Sequence, residues 1–389
     1  MSEIVTLDNP LMSEISLPIF REIRTPKNFK LPEDTVIVSA DSHWEVAGDI
    51  FYERFPAKLK DHAPRVWFDK IFKIGMPDGN GTVKDIFNDE IMKIASANTI
   101  LPGAYDLEIR MAHMDAEGIA KDINFPSFVM GFVHLSDLEV RETILRIYNE
   151  YMAERSALTG GRCHGVGIVS NWWDPDKARS AIQQIKDLGL KTFMLPLEPG
   201  KNREGQPLVY SEPEMDTLWT AIEESELPMC FHIGESSMVT GRGGWGIRVF
   251  SSIQPFVKPL AHLIYGGIFD RNPGLRVIFA EGGISWVPTA LQDAEMIYDS
   301  YPGLHNLVPK LRPSEYWSKH CYATFMNDQL GLKLLDHIGT DRVMWAADYP
   351  HAEGTFGYSQ GAIQNVLDAT TEEVARKILG GNAIKVFGL

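Results

Sequence analysis

The chain has 389 residues, 44% of them hydrophobic and 23% charged, a composition able to bury a large core and unlike that of disordered or fibrous chains. Its 37 basic and 52 acidic side chains give a net charge of −15, a surface that repels polyphosphate and argues against nucleic acid and anionic membrane as partners. No apolar run approaches the roughly 18 residues of a membrane span, no basic or apolar leader pattern opens the sequence, and Cys163, Cys230 and Cys321 lie far apart without a CxxC; a soluble cytoplasmic protein with buried thiols is expected.

Residues 1–35 carry Pro10, Pro18, Pro26 and Pro32 without lasting periodicity and read as an extended arm lying on the body or on a neighbouring subunit. A homodimer or homotetramer is expected. Strand-like runs follow at 36–40, 122–126, 166–170, 191–197, 229–233, 276–280, 321–325 and 342–347. Helical spacing occupies 106–117, 138–157, 175–188, 214–226, 253–269, 287–298, 329–337 and 372–379. Eight alternations predict an α/β chain folded as a (β/α)8 TIM barrel over 36–389; the competitor, an open doubly wound sheet, would be unusually large. The segment 44–105 interrupts the first strand–helix unit and far exceeds an ordinary loop of about 2 to 6 residues. It holds Trp44, Phe51, Tyr52, Phe55, Trp67, Phe68, Phe72 and Phe87 and is predicted to cap the barrel mouth, with Trp44 and Phe51 against substrate. A satellite core on the rim is the alternative.

Catalytic groups of a barrel stand at the C-terminal ends of its strands. Those ends here read Asp41-Ser42-His43, Phe231-His232-Ile233, Ala280-Glu281-Gly282-Gly283 and Ala347-Asp348-Tyr349-Pro350-His351. Imidazole and carboxylate are the donors that hold a divalent metal. Asp41 and His43, two apart on an extended strand, project to one side and can reach the same ion. Each residue alone has a plain structural reading, such as a hydrogen-bonded histidine or an aspartate that opens a turn. Their coincidence points to a metal shared by Asp41, His43, His232 and Asp348. His351, three residues past Asp348, stands at the same rim, to touch substrate or to support a ligand. His62, His113, His134, His164, His262, His305, His320 and His337 fall on helices, loops or strand beginnings and read as surface or core.

Two motif matches fail on context. Residues 241–246 satisfy GxGxxG but lie beyond a strand and lead into no clear helix with an acidic residue about 20 positions on, so they read as a glycine loop. Arg242 and Arg248, on or just past that loop, are placed to pair with a substrate carboxylate, with solvated arginines as the alternative. Residues 357–361 satisfy GxSxG, but no histidine follows His351, so the chain order of a serine hydrolase cannot be completed.

Taken together, Asp41-Ser42-His43 with Glu45, the stretch 267–283 with Trp286 and Pro288, and the run from Trp345 to His351 resemble the amidohydrolase-related metal enzymes of the aminocarboxymuconate-semialdehyde decarboxylase type. Over 36–389 the resemblance implies a barrel with one catalytic Zn²⁺ or Mn²⁺ held by Asp41, His43, His232 and Asp348. One ion is implied rather than two, because the fourth strand, 192–197, carries no bridging lysine or glutamate. The sequence departs from that type at Asp41, where many members have histidine, and at Glu281, where the decarboxylases carry a histidine. A glutamate with a reference pKa of about 4.3 is an anion near neutrality. It would repel a substrate carboxylate but accept a proton from metal-activated water. The first expectation is therefore a mononuclear metal-dependent hydrolase of a small aromatic or cyclic molecule, with Glu281 as base or further ligand and Asp348 and His351 beside it. The alternative is a non-oxidative decarboxylase of an aromatic or unsaturated acid. A silent binding protein is the reading from another class.

Overall fold

A computed structural model of the protein describes residues 4–5, 19–20, 29–69, 71–78, 82–85, 101–235, 242–301 and 309–389. Eight short parallel strands form the barrel: β1 (Val38–Trp44), β2 (Lys121–Pro126), β3 (Cys163–Gly165 and Gly167–Ile168), β4 (Phe193–Met194), β5 (Met229–His232), β6 (Val277–Ala280), β7 (Cys321–Phe325) and β8 (Val343–Trp345). They are buried on both faces, as the sheet of an α/β barrel must be, which is why the sequence shows them as near-continuous apolar runs. The first half of β3 pairs with β2 and the second half with β4, so a break at Val166 joins two sheets. The ring closes between β8 and β1 without a regular ladder. Asp348 N–H donates to the carbonyl of Asp41 at 2.8 Å, and His43 N–H to that of Tyr349 at 2.6 Å. The hydroxyls of Ser39 and Ser42 accept the N–H groups of Ala347 (2.9 Å) and Tyr349 (3.3 Å).

Helices cover the barrel, several of them where the spacing places them, while Pro313–His320 and Ser359–Ala369 stand where none was expected and the 329–337 stretch divides into Gln329–Lys333 and Leu335–Ile338. Leu138–Ala157 begins at Asp137, whose side chain caps two backbone N–H groups, and Pro175–Asp187 has proline in its first turn and buries Ala178, Ala181, Ile182 and Ile185. The expected helix at 253–269 is instead Val257–Tyr265 and Ile268–Arg271, because Pro255 and the left-handed Gly267 (φ 67) interrupt it. The glycine stretch read as a loop runs into the helix Gly244–Ser252; Gly241 and the side chain of Trp245 lie outside the described residues. The GxSxG match opens the helix Ser359–Ala369, where the Ser359 hydroxyl bonds that of Thr355 at 2.8 Å inside the core.

Of the arm, Ile4–Val5 pairs antiparallel with Ile19–Phe20, and the rest of residues 1–28 lies outside the described residues. The segment after β1 contains the helix Ile50–Arg54 and a small antiparallel sheet of Arg65–Asp69, Ile71–Pro77 and Val83–Asp85, an element the ring count did not suggest. Residues 70, 79–81 and 86–100, with Phe87 among them, lie outside the described residues, as does His305. Among the described residues no helix is long and apolar enough to cross a membrane.

Candidate metal centre

β1 carries a bulge between Ser39 and Ser42 in its pairing with β2. Bulges bend a strand and re-aim its side chains, and this one lies at Asp41. β1 runs on to Trp44, so Asp41 and His43 sit within the strand, beyond the 36–40 run read from the sequence. On the far side, His232 is in register with Ala280, which brings the next residue, Glu281, against it. Glu281 and Asp348 both have left-handed backbones, with φ of 70 and 51. Non-glycine residues adopt that conformation only when their surroundings enforce it, and such residues cluster at functional sites.

These strand ends bring six side chains together. Asp41, His43, His232 and Glu281 form one group of donor atoms within 4.8 Å of one another, and His43, Glu281, Asp348 and His351 form another. Glu281 Oε2 lies 3.1 Å from His232 Nε2 and 3.4 Å from His43 Nε2. His43 Nε2 is 3.3 Å from Asp348 Oδ1 and 3.8 Å from Asp41 Oδ1, while His232 Nε2 is 3.4 Å from Asp41 Oδ1. The His351 ring stacks on that of His43 with centroids 3.8 Å apart, and its Nδ1 lies 3.0 Å from Asp348 Oδ1. The four residues expected as ligands thus fall in two groups joined through His43 and Glu281.

Backbone carbonyls orient two of the imidazoles. His43 Nδ1 meets the carbonyl of Pro126 at 3.1 Å and His232 Nδ1 that of Ile233 at 2.8 Å. A carbonyl only accepts, so both Nδ1 atoms carry the proton and each Nε2 is left facing the cluster, the arrangement of metal-bound histidine. Asp41 Oδ1, both Nε2 atoms, both Asp348 oxygens and His351 Nδ1 are buried without a hydrogen-bond partner. Buried polar atoms are almost always satisfied, and three buried carboxylates beside one another need positive charge. A divalent cation fits this nitrogen and oxygen donor set.

The titration of the site agrees. Burial and then the charge of His351 push His43 down to about 4, leaving the neutral ring that can ligate. Burial disfavours the Glu281 anion, but His232, His351 and His43 outweigh it and hold the carboxyl well below its ordinary range. Burial, and then the charge of Glu281, raises Asp348 to about 6. For His232 and His351, burial opposes the charged ring. The carboxylates, Asp41 and Glu281 for one and Asp348 and Glu281 for the other, win and raise both well above the ordinary value. The proton on His232, a ligand residue, stands where a cation would, whereas His351 is outside the expected ligand set.

A group whose pKa is raised on folding adds stability that is complete below its unfolded value and lost as pH rises through its folded one. For Asp348 that loss runs from its unfolded value of 3.8 and is complete just above about 6, and for His232 and His351 it begins above 6.5. Glu281, with a depressed pKa, loses its contribution only in acid. The Tm of chelator-treated protein is therefore expected to fall as pH rises from about 6 to about 8. Added Zn²⁺ or Mn²⁺, which binds deprotonated ligands, should restore it, so the gap between the two widens with pH. Scanning calorimetry checks this, and a gap independent of pH would count against the cluster as a metal site.

Other residues picked from the sequence lie elsewhere. Trp44 and Phe51 are 1% and 0% exposed and belong to the core. The Arg155 guanidinium lies 5.2 Å from the Trp44 ring centre, and Phe51 packs edge-on against Phe132 at 6.0 Å. Trp44 and Phe51, expected over substrate, thus pack against the barrel's own helical layer, while the side chains of Phe68 and Phe72 lie outside the described residues. Arg242 is exposed, and Arg248 is half-buried with Nη2 3.4 Å from the carbonyl of Gly234, two residues past His232. Sequence reasoning missed Thr324, whose hydroxyl accepts the Glu281 N–H at 2.8 Å and lies 3.3 Å from Asp41 Oδ2. It quoted Glu45 without a role; that carboxyl is buried beside Ser127 and the backbone of Phe128, and burial outweighs them and raises it to about 8.

Comparison with known proteins matches this arrangement to a family. The chain is 26% identical over 215 residues to the 2-amino-3-carboxymuconate-6-semialdehyde decarboxylase of Dictyostelium discoideum, a match spanning 54% of this chain and 58% of that relative's length. The crystal structure of an amidohydrolase from Mycobacterium avium subsp. paratuberculosis K-10 superposes over 92% of this chain and 100% of its own, with a TM-score of 0.73 and 19% identity. The 5-carboxyvanillate decarboxylase of Novosphingobium aromaticivorans, solved with manganese and 3-methoxy-4-hydroxy-5-nitrobenzoic acid, covers 93% of this chain and 100% of its own, with a TM-score of 0.66 and 21% identity. The family model described as Amidohydrolase matches residues 126–389, which include β5 to β8 and four of the six clustered side chains, and the chain belongs to that family.

Proposed function

We propose that the protein is a metal-dependent decarboxylase that removes CO₂ from an aromatic or unsaturated acid without oxidation. The observation that carries the reading is His351, a largely buried imidazole with its Nδ1 3.0 Å from Asp348 and 3.8 Å from Glu281, facing the ligand cluster. Decarboxylation breaks one C–C bond, leaves its electron pair on carbon and needs one proton there. A ring kept protonated by two carboxylates is equipped to give it. Two named decarboxylases among the similar proteins support the same chemistry over hydrolysis.

Asp41, His43, His232 and Asp348 would hold one Zn²⁺ or Mn²⁺, which when bound supplies positive charge for the substrate's oxygens. The chain's own residues do the rest. Carbonyls of Pro126 and Ile233 fix the two imidazoles, Thr324 ties Glu281 to Asp41, and Glu281 keeps the proton on His351. Arg248, at the mouth beside the end of β5, is the arginine we assign to a substrate carboxylate. The anionic Glu281 keeps a second reading in view, hydrolysis, in which it takes a proton from attacking water.

Screening aromatic carboxylic acids with metal-loaded protein in ¹⁸O-water and, separately, deuterated water separates the two. The expected result is early unlabelled CO₂, deuterium on the product carbon and no ¹⁸O in the organic product. Oxygen incorporation into that product would instead establish the hydrolase.

A further inference from the structure

The ligands gather where the barrel closes, and that closure has few backbone bonds of its own. Immediately outside it, between the sheet and the helix Leu107–Glu117, lies the guanidinium of Arg110, 1% exposed. Its Nε donates to Asp122 Oδ2 at 2.9 Å, and Nη2 donates to the same oxygen and to Asn124 Oδ1 at 2.7 Å, both on β2. Nη1 reaches the carbonyl of the ligand residue His43 at 3.5 Å. The guanidinium carbon stands 4.1 Å from the ring centre of Tyr349, which directly follows Asp348. The hydroxyl of Tyr349 meets Nδ1 of His113, on the same helix as Arg110, at 2.8 Å. Gly103 makes room for that hydroxyl: a Cβ there would lie 2.4 Å from it.

We propose that Arg110, with Tyr349 and His113, is a positioning device for the metal centre, fixing the backbone of β1 and of residue 348 so that His43 and Asp348 meet the same ion. Two considerations favour this over a stabilising role alone. A buried arginine–carboxylate pair seldom stabilises a fold more than apolar residues of the same volume would, because both charges lose their hydration. Asp348 holds a left-handed backbone that it would leave if its surroundings relaxed, and the neighbouring contacts are those of Tyr349. One planar fork reaches strand two, strand one and the residue after the eighth-strand ligand, which a lysine's single ammonium cannot do. The inference rests on the metal-centre reading and is independent of which bond is broken.

The test uses Arg110→Lys, which keeps the charge and loses the fork, and Tyr349→Phe, which keeps the ring and loses the bond to His113. For each, Zn²⁺ affinity is measured by chelator competition, the visible absorption of Co²⁺-loaded protein reports coordination geometry, and calorimetry follows the chelator-treated fold. Arg110→Lys is expected to weaken Zn²⁺ binding by about 10- to 100-fold, the usual cost of losing a partner behind the ligands, and to shift the Co²⁺ bands. Tyr349→Phe should move both in the same direction, by less. A folded Arg110→Lys with wild-type affinity and an unchanged Co²⁺ spectrum overturns the proposal even if its Tm falls. Should that variant not fold, unchanged affinity and spectrum in Tyr349→Phe overturn it. Failure of the wild-type protein to bind Zn²⁺ or Co²⁺ would overturn the metal-centre reading along with it.

Discussion

Replacing His232 with alanine is expected to strip the protein of most of its metal while leaving the barrel folded. Its Nε2 is 3.4 Å from Asp41 and 3.1 Å from Glu281, so the imidazole stands between the two carboxylates on that side of the cluster. Its loss should cost more affinity than the roughly 10- to 100-fold that removing a partner behind a ligand costs. The fold should persist because β5 keeps Met229, Cys230 and Phe231 in the core. Elemental analysis after growth in added Zn²⁺ or Mn²⁺ reads the outcome, and near one ion per wild-type chain against almost none in the variant is the expected pair of values. Wild-type stoichiometry in His232→Ala would remove this residue from the ligand set.

The second large effect is expected at Glu281→Gln, which keeps the shape and removes the charge. In the decarboxylase reading the lost anion is one of two that hold the proton on His351. The turnover number kcat should then fall by about 10²- to 10⁴-fold, the usual worth of general acid–base catalysis, and the alkaline limb of the pH profile should move to lower pH. Metal content is expected to stay near normal, because Asp41, His43, His232 and Asp348 remain. A large loss of metal would make Glu281 a ligand, in keeping with its place in both groups of donors. Unchanged kcat would deny it either role.

The barrel was legible because its strands, buried on both faces, stand out as apolar runs between helical spacings. Asp41-x-His43 was legible for an equally local reason, the two-residue period of a strand. His232 and Glu281 could be joined once β5 and β6 were taken as neighbours. What stayed hidden depends on distant contacts. Arg110 looks in sequence like any helix arginine facing solvent, yet its partners are 12 and 14 residues on and Tyr349 lies at the other end of the chain. The alternation Asp122-Ile123-Asn124 was the available clue, since polar residues on the outer face of a barrel strand meet a helix rather than water. Trp44 and Phe51 could not be placed from sequence for the converse reason: aromatic content is the same whether a ring lines a cavity or packs, and only tertiary structure put Trp44 beneath Arg155.

The left-handed backbones of Glu281 and Asp348 set evolution and heat resistance against each other. Each such residue costs about 1 to 3 kcal/mol, a cost glycine largely escapes because it has no Cβ to clash. Random drift selected for thermal tolerance alone would therefore favour glycine at both positions, at the expense of two of the three carboxylates in the cluster. Sequences of this lineage that carry glycine there should be sought among proteins that have kept the barrel and abandoned its chemistry.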